Sequence, residues 1–144
     1  MLQYHFTWKV VSAAAGITWW NFYFRLYRRT IRGAEVIDFL GHLLRHLPGR
    51  LLIVWDGLPA HRGHPVKEFI AAQRGRLAVE QLPAYAPELN PAEQVFGNLK
   101  SGELANLCRK TILEIQTIAE DGLDRIGTDA ELCFAFLRHA GLHL

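Results

Sequence analysis

The chain has 144 residues, half of them apolar and 11% aromatic, and a net charge of +2 at pH 7. This composition excludes a disordered chain, and the length suffices for one domain with a buried core. No apolar run reaches transmembrane length, and the N-terminus lacks the features of a signal peptide. Cys108 and Cys133 are far apart and outside any CxxC pair. We interpret them as reduced core thiols of an intracellular protein and expect no structural zinc site.

The charge is unevenly spread along the chain. Residues 1–34 contain no Asp or Glu but carry Lys9, Arg25, Arg28, Arg29 and Arg32. Residues 111–144 carry six acidic residues against two arginines. A basic first segment is suited to binding phosphate, and it is equally typical of a solvated hairpin, so charge alone leaves both interpretations open.

The first half of the chain predicts a β-hairpin, a helix and a strand. Residues 2–12 and 17–27 are rich in β-branched and aromatic residues, which predicts two strands joined by a loop of small residues at 13–16. Residues 34–47 have helical apolar periodicity, and 51–55 form a continuous apolar run typical of a strand covered on both faces. Three aromatic residues are expected in the core or on the sheet rather than stacked on bases: Trp19, Trp20 and Phe22.

The second half alternates helices with one more strand. Residues 65–74 predict a helix and 77–82 a strand. Prolines then extend the chain up to Asn90, which is suited to capping a helix over about 91–107 with Pro91 at its first position and Glu93 at its third. Two further helices are predicted, over residues 110–122 and 129–140.

Strands that alternate with helices after a hairpin predict a layered α/β sheet. Chemistry in such sheets is found beyond the carboxyl ends of the strands, and Asp56 directly follows the predicted strand 51–55. Glu93 begins a later helix. Two acids brought from different elements to one sheet edge are typical of Mg²⁺ sites that catalyse phosphoryl transfer.

The stretch LPAYAPELNPAEQVFGNLK, residues 82–100, resembles the third-acid signature of DDE transposases of the mariner superfamily, in its bacterial insertion-sequence branch. Glu93 matches the catalytic acid, Phe96 the aromatic position and Lys100 the basic position. Asp56, the turn after it and His61 resemble the second acid. The resemblance covers about residues 2–105. It implies an RNase H-like (retroviral-integrase-like) fold and DNA cleavage and strand transfer at element ends, with Mg²⁺ or Mn²⁺ as cofactor.

The sequence departs from this family in several respects. The family has three acids, the first on the first strand of the fold, and residues 1–34 offer no equivalent. The N-terminal helix-turn-helix region is absent, and Gly57 replaces the usual Asn. We therefore expect a truncated catalytic domain over 1–108, with its first strand missing, and a C-terminal helical extension over 109–144. Loss of a central strand predicts exposed apolar edges at the hairpin and at 51–55.

The expected site consists of catalytic and metal-binding Asp56 and Glu93, with His61, Arg62 and Lys100 as DNA-binding residues. Each of these residues also has an explanation that involves no role in catalysis or binding. Asp56 is also suited to a turn, and Glu93 to the helix dipole. His61 either binds DNA, orders the site or is an ordinary loop histidine. Exposed basic residues such as Arg62 and Lys100 are more often simply solvated than bound to phosphate.

Two functions follow from the resemblance. The first is a transposase fragment, inactive alone because the first catalytic Asp is absent. The second is a non-catalytic remnant that binds DNA or full-length transposase. An RNase H-like nuclease of another kind is a weaker alternative. The expected partners are double-stranded DNA, a second copy of the chain or full-length transposase, without a membrane, in a bacterial cytoplasm near the nucleoid.

Overall fold

The computed structural model describes residues 2–8, 11–105 and 111–142. Within these ranges five strands form two small sheets. The first is antiparallel, in the order β1 (Leu2–Trp8), β2 (Val11–Ile17) and β3 (Phe22–Tyr27), and the second pairs β4 (Leu51–Trp55) with β5 (Leu77–Gln81) in parallel. The helices of the same ranges are α1 (Gly33–His46), α2 (Pro59–Arg62), α3 (His64–Ala72), α4 (Pro91–Ser101), α5 (Ile112–Thr128) and α6 (Ala130–His139). The predicted α/β class is confirmed.

The predicted hairpin loop is wrong, because residues 13–16 lie inside β2. Ala14 pairs with β1 on one side and with β3 on the other. Its side chain packs with α1, whereas Ala13 and Ala15 pack with α4 and α5 on the opposite face. Small residues here allow helices to approach both faces of the sheet, and the same composition is typical of a loop. The turn between β2 and β3 lies instead at residues 18–21, where Asn21 N–H donates to Thr18 Oγ1 at 2.9 Å.

The hairpin was predicted to have an exposed edge, but a strand is present at the edge of β2 that faces away from β3. β1 pairs with β2 on the side away from β3 and also contacts β4. It carries no Asp or Glu. The expectation that β4 is covered on both faces is wrong: Ile53 and Trp55 are buried, whereas Leu52 is 61% and Val54 36% exposed. β4 forms a parallel ladder with β5 and also contacts β1.

The described side chains form two apolar clusters. One joins β2 and α4 to the last two helices, and its members include Val95, Phe96, Leu99, Ile115, Leu123, Ile126 and Phe136. The other joins α1, α3, β4 and β5, and its members include Val36, Phe39, Leu40, Leu43, Ile53, Trp55 and Val66. Since α5 and α6 share a cluster with β2 and α4, they pack against the sheet. The division at residue 108 stays a prediction, and residues 106–110 lie outside the described ranges.

Helix α4 begins as predicted and ends earlier. The side chain of Asn90 accepts a hydrogen bond from Ala92 N–H at 3.0 Å, and Pro91 occupies the first helical position. The helix ends at Ser101 rather than near 107, because the backbone of Gly102 leaves helical geometry and Leu104 turns into the core. Short α2 was not predicted and precedes α3.

Two remaining expectations were that the cysteines are reduced thiols and that no segment spans a membrane. Cys108 lies outside the described residues, and the half-buried Cys133 is a free thiol that donates to the Ile126 carbonyl at 3.2 Å. No helix in the described ranges combines the length and apolar character needed to cross a membrane.

Substituting Asn90 tests the importance of its cap. Asn90 is 3% exposed, and we expect Asn90→Ala to lower the free energy of unfolding by about 1–2 kcal/mol, since a buried helix-terminal N–H loses its acceptor. Asn90→Ser keeps an acceptor and is the control, with a loss of less than about 0.5 kcal/mol. Urea denaturation measures both. Equal losses would contradict a capping role.

Candidate active site

Asp56 and Glu93 line one cleft of about 180 Å³. Asp56 follows the last residue of β4, and Glu93 lies in the first turn of α4. The walls are Gly57, residues 82–87 and Asn90. Leu82 N–H donates to the Trp55 carbonyl at 2.7 Å, which continues the β4–β5 pairing and starts the connecting segment beside Asp56. The two predicted acids are therefore brought together by the parallel strand pair and the capped helix.

Asp56 has the turn role that its sequence position suggests. Its Oδ1 accepts from Leu58 N–H at 3.1 Å, which is the hydrogen bond of an Asx turn. The same Oδ1 lies 3.2 Å from Nδ1 of His61. No hydrogen bond from the described residues reaches Oδ2. The turn thus fixes one oxygen of a half-buried carboxylate and leaves the other for a ligand.

His61 is buried behind Asp56, with only 3% of its surface exposed. Its Nδ1 lies 3.0 Å from the Asp56 carbonyl oxygen. Because a carbonyl only accepts, Nδ1 carries the proton. The imidazole stacks on Trp55, with ring centroids 4.2 Å apart and planes inclined by 6°. Contact of His61 with DNA stays a prediction, and burial favours the alternative in which it orders the site.

The carboxyl of Glu93 is poorly suited to ionisation in the protein alone. Burial raises its pKa most, and the negative charge of Asp56 raises it further, while Lys100, two turns along α4, acts in the opposite direction. The effect of Asp56 places both carboxylates within electrostatic range of one another. Such repulsion is relieved by a cation between or beside them.

The donors in this cleft fit a divalent cation of the Mg²⁺ type. Carboxylate oxygens are its preferred protein ligands, and Mg²⁺ is commonly held by one or two carboxylates together with water and substrate phosphate. Asp56 offers Oδ2, and Glu93 offers a half-buried carboxyl whose pKa is raised by burial and by the charge of Asp56. The described residues contain no group of three or more acidic, His or Cys side chains arranged for a metal. Among the described residues, this cleft offers two carboxylates.

The predicted DNA-binding residues lie on two different helices. Arg62 is exposed at the end of α2, and Lys100 is half-buried on α4. The basic first segment is partly neutralised by α1: Arg25 lies 3.4 Å from Asp38, and Arg29 forms an ion pair with Glu35. Those contacts favour a structural role for the two arginines, whereas Lys9 lies outside the described residues.

Two features of the cleft were not predicted from the sequence. A Cβ at Gly57 would lie 2.7 Å from the Gln81 side-chain nitrogen, so the glycine that departs from the family leaves room for that amide. Tyr85 has a positive φ of 60° and is fully exposed on the cleft wall. The only sign of this exposure in the sequence is that Tyr85 lies between Ala84 and Ala86, which offer its ring no large neighbouring side chain.

Removal of the Glu93 charge is expected to stabilise the fold. An acid with a raised folded-state pKa favours folding when protonated and opposes it as the pH rises through that pKa. We expect Glu93→Gln to raise Tm by about 1–3 °C at pH 7 in EDTA. The gain fades near pH 4, where glutamate is protonated in both states. Exposed Glu88→Gln is the control, and a Glu93→Gln gain that is independent of pH contradicts the charge explanation.

No curated protein matches the chain, but several solved structures do. The catalytic domain of Mos1 mariner transposase matches with a TM-score of 0.59 and 14% identity over 93% of this chain and 76% of that chain. The Mos1 transposase paired-end complex with left transposon end matches with a TM-score of 0.72 and 17% identity, over 90% of this chain and 40% of that chain. The structure of Mos1 transposase catalytic domain and Raltegravir with Mg matches with a TM-score of 0.59 and 14% identity, over 93% of this chain and 77% of that chain.

These identities show a shared fold, which is the RNase H-like fold predicted from the sequence. The chain spans well under half of the protein in the paired-end complex. A family model described as "DDE superfamily endonuclease" matches residues 7–112, which is more than half of the chain. The chain therefore belongs to the DDE superfamily endonucleases.

Proposed function

We propose that the chain is a catalytic-domain part of a DDE transposase of the mariner superfamily, in its bacterial insertion-sequence branch. Its reaction is metal-dependent DNA cleavage and strand transfer at element ends. The observation that carries this proposal is the cleft that Asp56 and Glu93 line together. Double-stranded DNA is the proposed partner, and the Mos1 complex with a transposon end supports it.

Asp56 and Glu93 are the residues that would hold Mg²⁺ or Mn²⁺. When bound, such a cation polarises a phosphoryl oxygen and stabilises charge that develops on the attacking and leaving oxygens. The Leu58 N–H and the His61 Nδ1 fix the Asp56 carboxylate in one orientation. The N-terminal end of α4 places Glu93 opposite it. We assign phosphate binding to Arg62 on α2 and Lys100 on α4.

The two acids leave the proposed site one carboxylate short of the family's three. β1 lies beside β2 and contacts β4. The resemblance places the acid-bearing first strand of the family at this position. β1 has no Asp or Glu. The third carboxylate must therefore come from outside the described residues, from an upstream segment or from full-length transposase. Until it does, the chain is proposed to be inactive.

A second candidate function is non-catalytic binding to DNA or full-length transposase. The acid-free β1 favours it, as does the apolar face of β4, where Leu52 is 61% exposed. Such a face is suited to a partner chain. On this alternative the acids are a remnant of the site, and the chain occupies element ends without cleaving them.

Nicking of supercoiled plasmid in Mn²⁺ separates these functions. We expect no nicking by the chain alone, and nicking once an acid-bearing upstream segment is supplied. Asp56→Ala should abolish the restored activity by at least about 10³-fold, since a metal ligand is lost. Nicking by the chain alone that Asp56→Ala removes would show that two acids suffice. Restored nicking that survives Asp56→Ala would contradict the assigned site, and no restoration would favour the non-catalytic function.

The ordering role of His61 is tested by two substitutions. His61→Phe keeps the stack on Trp55 and removes the Nδ1 donor, so we expect Mn²⁺ affinity to fall by about tenfold or more, as for other groups that orient metal ligands. His61→Asn restores a side-chain N–H and should recover part of the affinity. Isothermal titration calorimetry measures both. Unchanged Mn²⁺ affinity with weakened DNA binding would instead support a direct DNA contact.

A further inference from the structure

Two histidines of α1 lie side by side outside the cleft. His42 and His46 are one helical turn apart, so both project from the same face of the helix. Their ring centroids are 4.3 Å apart, and the ring planes are inclined by 44°. The helix ends at His46, just before the first residue of β4, whereas Asp56 follows the last residue of that strand. The pair therefore lies towards the opposite end of β4 from the two acids.

The hydrogen bond of His46 fixes which of its ring nitrogens is free. Its Nδ1 lies 2.8 Å from the carbonyl oxygen of His42. Because a carbonyl only accepts, Nδ1 carries the proton, and Nε2 of the neutral ring keeps its lone pair. Histidines that bind metal ions commonly donate their other ring N–H to a carbonyl or carboxylate in this way. His46 is exposed, so its ring is accessible to an ion from solvent.

Neighbouring aromatic rings restrict the orientation of both imidazoles. His42 stacks on Phe39, with centroids 6.1 Å apart and planes inclined by 19°. Tyr23 of β3 presents its ring at 6.3 Å from His42 and at 6.2 Å from His46. Side chains that are already restricted lose less conformational entropy when they bind a common ligand.

The surroundings of His42 keep its imidazole neutral. Burial lowers its pKa most, and the neighbouring His46, Arg25 and Arg45 lower it further, while Asp38 acts in the opposite direction. A neutral imidazole is the form that binds metal ions. The two arginines also oppose a bound cation, although Arg25 lies 3.4 Å from Asp38, which offsets its charge. We therefore expect reversible rather than tight binding.

A structural explanation covers only half of the pair. His46 lies in the last turn of α1, where a basic residue complements the helix dipole. His42 lies one turn earlier and is held neutral, so it adds nothing to that interaction. Among the described residues neither imidazole forms an ion pair with a carboxylate.

We propose that His42 and His46 bind a late first-row transition metal ion, of the class of Ni²⁺, Cu²⁺ and Zn²⁺. Two histidines at positions i and i+4 of a helix are a recurrent pair of ligands for such ions, and imidazole suits these ions better than Mg²⁺. No third His, Cys, Asp or Glu of the described residues joins the pair. Asp38, one turn earlier, instead accepts a hydrogen bond from the Tyr27 hydroxyl at 2.7 Å.

Water would complete the coordination of the proposed ion. Structural zinc sites use four protein ligands, whereas this pair offers two, so the bound ion is exchangeable. The proposed site shares no residue with the cleft of Asp56 and Glu93 and does not depend on the function proposed for that cleft.

Isothermal titration calorimetry of the untagged chain with Ni²⁺, in excess Mg²⁺ to compete for carboxylate oxygens, tests this site. We expect His46→Ala to weaken the tightest Ni²⁺ binding by at least about tenfold, since one of two ligands is lost. His64→Ala is the matched control and should leave it unchanged. His64 is also exposed, but it lies on α3 and pairs with Glu68 at 3.0 Å instead of with a second histidine.

A second variant and an NMR measurement separate binding from folding. His42→Phe keeps an aromatic ring against Phe39 and should weaken Ni²⁺ binding as much as His46→Ala does. Paramagnetic Ni²⁺ should broaden the imidazole signals of His42 and His46 together in the parent chain. Ni²⁺ should also raise the Tm of the parent, because it binds the folded state, and raise that of neither variant.

Three results would overturn the proposal. The first is a parent chain that binds no Ni²⁺ in excess Mg²⁺. The second is Ni²⁺ binding that His46→Ala and His42→Phe leave unchanged, which places the ion elsewhere. The third is broadening of one imidazole alone, which shows that the two rings do not share an ion.

Discussion

The placement of Asp56 and Glu93 in one cleft is the constraint on which the site depends. Burial raises the pKa of the Glu93 carboxyl most, and the negative charge of Asp56 raises it further. A fold has no reason of stability to bring them together. The arrangement is therefore maintained by interactions elsewhere: the strand pairing that positions Asp56 and the Asn90 cap that starts α4 just before Glu93.

The two acids are carried by different parts of the core. β4, which leads to Asp56, packs in the cluster with α1 and α3, whereas α4, which carries Glu93, packs in the cluster with α5 and α6. β2 belongs to both clusters, because Ala14 faces one and its neighbours Ala13 and Ala15 face the other. The separation of the carboxylates thus depends on a strand whose side chains are small enough for both clusters to close on it.

The sequence predicted the site better than the sheet. Asn90, Pro91 and Glu93 each have a positional preference at a helix N-terminus, so the start of α4 was predictable from three residues. The alanines of β2 were mistaken for a loop, because small residues are typical both of loops and of tightly packed strands. The exposed face of β4 was missed, since a continuous apolar run carries no information on which face is covered. The burial of His61 and the positive φ of Tyr85 arise from tertiary placement, which residue type alone does not encode.

The measurement that tests the central claim most directly is a pH titration of the Glu93 carboxyl carbon by NMR, in the parent chain and in Asp56→Asn, without divalent cations. We expect the pKa of Glu93 to be raised in the parent and to fall part of the way towards its usual range in Asp56→Asn, because the repulsion is lost while the burial remains. A Glu93 carboxyl that titrates at the same pH in both proteins would show that the two acids do not share a site.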